Sequence, residues 1–448
     1  MLNWRFGTIL SLALLACLAT AQAQTDSQVR RGAAAFGDWR ADAPGVMRLI
    51  RPSDLPQPGA TPSSSNGARN APPPAGKTLQ VPAGFAVSAL TKTLPGVRVV
   101  RVAPNGDIFA AQSNVGRVSV LRLSADRTKV EKTETFASQL SGPYGIAFYP
   151  PGTNPQWVYI SEPSRVVRYA YKAGDLKASG APQVIATNFP GGGHWTRDLA
   201  FSPDGKTLYV AVGSASNVAE NMGRQTADVS QWEKTHGLGA GWGSEEWRAS
   251  VLAYDPDGKN RRSFANGIRN CAGLAVQPGS GALFCATNER DNLGDNLPPD
   301  YVTSVKAGGF YGWPWFYIGD NQDPRHGGAR ADLKGKITIP DVLFQPHSAP
   351  LNLAFNPGGQ FPTDWKGDAF VAMHGSWNRA LRTGYKIVRL PFRDGRPTGE
   401  YQDFVVGFVS GDRDVWGRPV GVAFLDDGSM IFSDDDGGAV WRVTYDKK

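Results

Sequence analysis

The sequence predicts an all-β protein: a six-bladed β-propeller whose ring is closed by an N-terminal strand in the last blade. Three observations predict it. The 448 residues include 53 Gly and 33 Pro, and only 19% are charged, a turn-rich composition that leans away from a helical bundle. One unit recurs six times: a short apolar strand, a Pro/Asp/Asn/Gly turn, and a second apolar strand. The copies are spaced so that each interval holds four strands plus loops, which is the repeat of a propeller.

The elements follow in order. Arg5, the apolar run Thr8 to Ala21 and the Ala21-Gln22-Ala23 cleavage signal read as an export signal over residues 1–23. The run is short for a spanning helix, so the mature chain is expected to have no transmembrane span and to be periplasmic or secreted. A rival reading takes Leu14-Leu15-Ala16-Cys17 as a lipid-attachment site, but its second Leu fits poorly. Residues 24–78 form an arm and a linker. Phe36 to Ile50 reads as a small docked arm, and Arg51 to Thr78 is a Pro/Ser/Ala-rich, semi-extended stretch that cannot bury a core.

The propeller is expected over residues 79–448. Its copies begin at Val99, Gly145, Asp198, Gly273, Asn352 and Gly421. Later strands are visible at 165–171, 249–255, 385–391 and 439–445. The last copy ends in a third strand, so Gly84 to Thr91 is expected to supply the fourth and pair the two ends of the chain. Surplus residues near 220–247 and 291–340 are expected to be loops on one face. Cys271 and Cys285 flank a turn signal, Gln277 to Gly281. In an oxidising compartment they read as a disulfide, with two buried free thiols as the alternative.

A net charge of +7 without a Lys/Arg block argues against nucleic acid and suits an anionic ligand. In a propeller, residues just before each first strand and just after each second strand emerge on the same face. Those positions hold three of the chain's five His, namely His194, His347 and His374. They also hold Arg197, Arg269, Arg290, Arg379 and Arg418. Clustered guanidinium groups suit a ligand with several carboxylates or phosphates. A His among them is pushed towards the neutral, basic form. Tyr144, Trp195 and Trp377 could sandwich a flat ring. The bland alternatives are a hydrogen-bonded loop His, solvated arginines and a plain turn at Gly191 to Gly193. The oxygen-rich stretch from Asn288 to Asn296 suits Ca²⁺, weakly on spacing alone, and the Asp434 to Asp436 run is a solvated turn or a cation holder. No GxGxxG opens a βαβ unit, which argues against a nicotinamide site.

The motifs GGGHWTRDLAFSPDGKTLYVAVGS, GIRNCAGLAV, TNERDNLGDN, KAGGFYGWPW, HSAP, HGSWNR with GYKIVRL, and GRPVGVAF resemble a known family. The chain is similar to the soluble quinoprotein sugar dehydrogenases, the pyrroloquinoline quinone (PQQ) aldose dehydrogenase group, and most closely to their sorbosone-dehydrogenase-like branch. The resemblance implies a propeller binding PQQ and Ca²⁺ at the channel mouth and oxidising an aldose or aldehyde sugar. It implies that His194 is the general base, that Arg269 and Asn270 bond the quinone oxygens, and that Arg418 holds a cofactor carboxylate. It places the backbone carbonyls of Glu289 and Arg290 on the metal, and Asn288, Trp377 and Arg379 around the cofactor.

Three departures stand out. Trp377 and Arg379 stand in the region where the family's sugar oxidisers carry a Lys. Glu289-Arg290 replaces a Gly-Pro, and Gly213-Ser214 stands where an Asp often accompanies the base. No CxxCH is present, so electrons are expected to pass to a separate acceptor such as a cytochrome or quinone. Two other functions fit a propeller. One is a Ca²⁺-dependent lactonase, disfavoured by Arg-rich mouths. The other is a non-catalytic glycan- or protein-binding ring.

Overall fold

The computed structural model describes Met1 and residues 29–226 and 228–446, and folds six sheets around a central channel. The leader and Cys17 lie outside the described residues. The inner strands Val97–Val102, Ile146–Tyr149, Leu199–Phe201, Cys271–Val276, Pro350–Phe355 and Pro419–Phe424 contact one another in a ring. Each belongs to one of the six repeats. Four of the second strands, Ile108–Gln112, Leu283–Thr287, Ala369–Met373 and Met430–Asp434, are buried at every position, and the other two at all but one. A sheet packed on both faces has no solvent face to alternate towards, so these strands read as continuous apolar runs.

An apolar cluster fills the gap between each pair of neighbouring blades. Phe109 and Ile146 sit in the cluster between the first and second blades, and Phe370 and Phe432 in that between the fifth and sixth. Around the channel the blades approach too closely for a side chain. A Cβ on Gly145 would lie 2.5 Å from the carbonyl oxygen of Arg197. Ser161 tightens the same contact: its hydroxyl accepts from the Gly145 N–H and donates to the Arg197 carbonyl.

Ring closure is as the sequence predicts. Phe85–Thr91 pairs antiparallel with Ala439–Tyr445, placing Phe85 opposite Tyr445, so the first ordered strand of the ring is the outer strand of the last blade. Cys271 and Cys285 form a disulfide across the first two strands of the fourth blade. Two expectations are corrected. The stretch 220–247 carries the α-helix Val229–His236. The stretch 291–340 is not all loop: Tyr301–Ser304 is the third strand of the fourth blade, and Gly309–Phe310 pairs with Arg262–Asn266 of the third. Four- and two-residue strands are too short to show a period.

The channel is barred at mid-height by a polar brace. The wholly buried Asp198 carboxylate accepts two bonds from Arg101, at 2.8 and 3.0 Å. It also accepts the Leu274 N–H at 2.8 Å and Asn352 Nδ2 at 3.1 Å. The other end of the Asn352 amide accepts from Arg101 at 3.2 Å and from the Val422 N–H at 3.3 Å. Four blades therefore meet at one carboxylate, and Asn352 ties in a fifth through Val422. On one side of the brace lies an apolar funnel of about 500 Å³, walled by residues such as Phe148, Phe201 and Phe424. On the other side lies a polar cavity.

The chain before the ring is attached to it. Met47–Leu49 adds to the outer strand Glu400–Val405 of the fifth blade. Beneath that joint Arg48 and Lys386, both fully buried, share the carboxylates of Asp42 and Asp403 at 2.7–2.8 Å. Residues 51–78 are mostly exposed and run as extended chain to a short pairing of Arg69–Asn70 with Asp414–Val415. No helix among the described residues is long and apolar enough to cross a membrane.

The brace makes a stability prediction. Asp198→Ala leaves the Arg101 cation and the Asn352 amide without their shared partner, and is expected to lose about 3–5 kcal/mol. The shift in urea midpoint measures it. A midpoint within error of the parent would show that the brace does not hold the ring.

Candidate functional site

The cavity above the brace has a volume of about 400 Å³ and is walled by side chains from at least four blades. Many of the mouth residues that the repeat pattern singles out reach it, among them His194, Arg269, His347, His374 and Arg418. So do Asn288, Glu289, Trp195 and Trp377.

His194 is set up as a base. Its Nδ1 lies 2.9 Å from the Ser214 carbonyl oxygen and 3.0 Å from the Ser214 hydroxyl oxygen. A carbonyl can only accept, so Nδ1 carries the proton and Nε2 keeps its lone pair. The Ser214 hydroxyl donates to Ser216 O at 2.7 Å, which leaves its own lone pairs for the imidazole. Thus Ser214, by backbone and side chain, does the orienting that a carboxylate would otherwise do. Gly213 gives this pair its space: a Cβ there would lie 2.6 Å from His194 Cβ and 2.5 Å from Asn270 Oδ1.

Burial, helped by the nearby charges of Arg269, Arg248 and Arg197, pushes the His194 imidazole down to about 3. Arg197 and Arg248 are themselves unusual. Neither forms a salt bridge among the described residues. Arg197 donates to the carbonyls of Pro190, His194 and Thr196. Arg248 donates to those of Pro190, Gly191, Gly192 and Gly213. Two cations caged by carbonyls thus shape the Gly191 to His194 loop from behind. Arg197 was expected at the mouth; it lies beneath it. Arg248 escaped the sequence reading because it ends a long loop and belongs to no repeat.

The guanidinium groups that line the cavity are Arg98, Arg269 and Arg418. Arg269 is held by Asn217 O and Oδ1, both at 3.0 Å, and by Glu289 O at 2.7 Å. Arg98 bonds Asp435 at 2.6 Å and lies over the Tyr144 and Trp195 rings. Arg418 donates through Nε to His374 O at 3.2 Å and forms no salt bridge among the described residues. Its tip is the uncommitted positive charge of the cavity. Arg98 was missed although it immediately precedes the first repeat; it is the second residue of the inner strand Val97–Val102. His374 is 2.9 Å from Asp435. Burial pushes its imidazole down to about 4, and although burial opposes the Asp435 carboxylate, His374 and Arg98 hold it down at about 2.

Other expected residues lie behind the wall. Arg290 is paired with Asp323 through two 2.9 Å bonds. Arg379 donates to Phe36 O and Asn296 Oδ1. Asn270 is buried beside His194, and its Oδ1 has no hydrogen-bond partner. Tyr144 is buried under Trp195, edge to face. Arg290 and Arg379 leave the mouth because the loops supply partners that no local pattern announces.

Burial works against the charge of two carboxyl groups in the cavity. Burial pushes Glu289 up to about 8 and Asp300 up to about 7. Asp300 is held by the N–H groups of Glu289 and Ala349, both at 2.8 Å. Among the described residues no three His, Cys, Asp or Glu side chains converge closely enough to hold a metal ion.

Residues 79–304 and 320–446 match the family model described as TrAA12-like. A protein of Borreliella burgdorferi, named only as uncharacterized, is 29% identical over 383 residues, 83% of this chain and 92% of that protein. A pyrroloquinoline quinone-dependent pyranose dehydrogenase of Coprinopsis cinerea is 28% identical over 164 residues. That alignment takes in 33% of this chain and 21% of the relative's length. The holo PQQ domain of the Coprinopsis cinerea pyranose dehydrogenase superposes with a TM-score of 0.67 at 20% identity, covering 85% of this chain and 100% of that one. A calcium structure of the Trichoderma reesei AA12 enzyme gives 0.68 at 20% identity, covering 84% and 99%. The superpositions establish the shared propeller.

The environment of His194 predicts its titration. A folded value far below the ordinary 6.5 means that the imidazole stays neutral as pH falls from 8 to about 4. The His194 ring resonances, assigned through His194→Gln, are expected not to move over that range in protein without ligand. A midpoint near 6.5 would show that the imidazole is neither buried nor under the field of the arginines.

Proposed function

The chain belongs to the TrAA12-like family, and on that premise we propose that it is an exported quinoprotein dehydrogenase that oxidises an aldose or an aldehyde sugar such as sorbosone. One observation carries the reading: an oriented imidazole with a free Nε2 faces the same cavity as three guanidinium groups, one of them without a partner anion. The leader pattern and the Cys271–Cys285 disulfide support an oxidising compartment outside the cytoplasm.

The residues suit PQQ. The ligand's three carboxylates call for guanidinium groups, and Arg418 and Arg98 present theirs at one side of the cavity. Its flat ring calls for aromatic and apolar walls, which Trp195 and Leu351 supply. The raised Glu289 and Asp300, the latter only partly protonated near neutral pH, reduce the like charge that an anionic ligand meets. Bound there, PQQ would supply a two-electron acceptor.

Calcium fits less directly. The Glu289 carbonyl, one of the two expected metal ligands, already accepts from the Arg269 guanidinium at 2.7 Å, so a cation there would sit against a cation. The residues alone do not form a calcium shell, and no step is derived through the ion.

The chain's own groups have defined work. His194 Nε2 accepts the hydroxyl proton from the carbon being oxidised; an aldehyde would enter as its hydrate. Ser214 stabilises the imidazolium that results, through its carbonyl and hydroxyl oxygens. Arg269, pinned by Asn217 and Glu289, aims a fixed positive charge at oxygen developing negative charge. A base near 3 is weak. An anionic cofactor on Arg418 and Arg98 would offset part of the positive field and raise His194 towards the working range. A cytochrome or quinone carrier is proposed as the acceptor that reoxidises the cofactor.

A dye-reduction assay with glucose, sorbosone and simple aldehydes tests the reading, on protein treated with chelator and reconstituted with PQQ, with and without Ca²⁺. Activity is expected to require PQQ. His194→Ala is expected to lower kcat by about 10²–10⁴ while PQQ still binds by absorbance titration. Arg418→Ala is expected to weaken PQQ binding about 10- to 100-fold. Absence of both PQQ binding and turnover in the parent protein would overturn the reading and make lactone hydrolysis the next assay.

A further inference from the structure

Residues 59–67 lie outside the part of the chain matched by the family model, yet they are bound into the rim of the cavity. Two loops form that rim, 291–297 and 375–383, which carry the lining residues Asp291 and Trp377. The segment stitches both. Gly59 N–H donates to Leu293 O at 2.9 Å, and Thr61 Oγ1 and Ser63 Oγ accept the N–H groups of Asp295 and Gly294, each at 2.9 Å. Ser64 O accepts from Asn378 Nδ2 at 2.7 Å.

Asn66 is the centre of the seam. Its N–H donates to the Trp377 carbonyl at 2.7 Å, and its Nδ2 donates to Ala380 O at 2.8 Å. Behind it the fully buried Arg382 donates to Asn66 O at 2.9 Å, Asn66 Oδ1 at 3.1 Å and Gly67 O at 2.9 Å. Arg382 forms no salt bridge among the described residues; carbonyl oxygens of the segment supply much of its compensation. A buried cation satisfied in this way fixes the segment in place, because its departure would strand the charge. What the segment fixes is a half-exposed indole. Trp377 lines the cavity with 48% of its surface open, whereas the guanidinium groups deeper in are buried or nearly so.

We propose that residues 59–67 are a strap that positions the Trp377 indole as the stacking wall for the incoming sugar ring, with Asn66 as the positioning residue. The proposal rests on the dehydrogenase reading for the identity of the ligand. An exposed indole on a rigid rim offers a flat apolar face to the C–H face of a pyranose, while the deeper polar groups take its hydroxyls. On that reading the cofactor would take the buried floor, which leaves the rim to the substrate.

Asn66→Ala, Trp377→Ala and the double variant test it in the full chain, with Asn66→Asp as a milder change that keeps the acceptor for Arg382. Amide hydrogen exchange over 375–383 is expected to speed up in Asn66→Ala while the blade strands stay protected. With glucose, cellobiose and sorbosone as probes, Asn66→Ala and Trp377→Ala are each expected to raise KM about three- to tenfold with kcat little changed. The double variant is expected to match Trp377→Ala alone, because the strap acts through the indole.

Unchanged exchange over 375–383 overturns the strap. A KM increase from Asn66→Ala that persists undiminished in the Trp377→Ala background overturns the link between them. If the parent protein oxidises none of the three sugars, the dehydrogenase reading fails on those substrates. Calorimetric binding of the same sugars to parent and Trp377→Ala then decides the wall, and binding by neither, or equally by both, overturns it.

Discussion

Everything at the mouth depends on Asp198 being buried, charged and shared. Its carboxylate draws Arg101, Asn352 and the Leu274 amide into the axis of the ring, and Asn352 brings in Val422. An unpaired charge at that depth would cost several kcal/mol, so the five blades that meet there are held in one register. The brace also divides the channel. Below it the walls are apolar; above it several blade ends present hydrogen-bonding groups to one small volume. A ring of separately folding hairpins becomes a scaffold with a defined floor.

Above that floor the same physical device recurs. Arg197, Arg248 and Arg382 are buried guanidinium groups surrounded by carbonyl oxygens rather than carboxylates. A carbonyl cage bonds the terminal guanidinium nitrogens, leaves each Nε without a partner among the described residues, and does not cancel the charge. Two consequences follow. Loops that look like plain glycine- or serine-rich turns are rigid, because several of their carbonyls converge on one planar group. The charge left over acts at a distance, and two of these arginines help to keep His194 neutral. Local order and base chemistry thus share one cause.

Much of this architecture is legible in the residues. The Pro-Asn-Gly and Pro-Asp-Gly turns, flanked by apolar runs, locate the first two strands of the blades, because a hairpin is decided by residues adjacent in sequence. The closing strand is legible by subtraction, from a last blade one strand short. The short strand Tyr301–Ser304 is not, since four residues carry no period and only its pairing with Leu283–Thr287 defines it. For the site, propeller geometry and the position of His194, Arg269 and Arg418 relative to the repeats place them at one mouth. Arg290 and Arg379 occupy equivalent positions and face away, one towards Asp323 and the other towards Phe36 O.

The sequence by itself determined the repeat, the number of blades, the closure and which face bears the polar ends, because each rests on local turn chemistry and on the alternation of buried and exposed strands. The tertiary structure alone decided which of the facing side chains reach the cavity. That choice depends on partners far along the chain: Arg382 is held by Asn66 from 316 residues away in sequence. It depends equally on Ser214 standing in for a carboxylate beside His194, an arrangement set by two loops meeting in space. A guanidinium or an imidazole has no orientation written in its neighbours; it takes the one in which its buried hydrogen bonds are met.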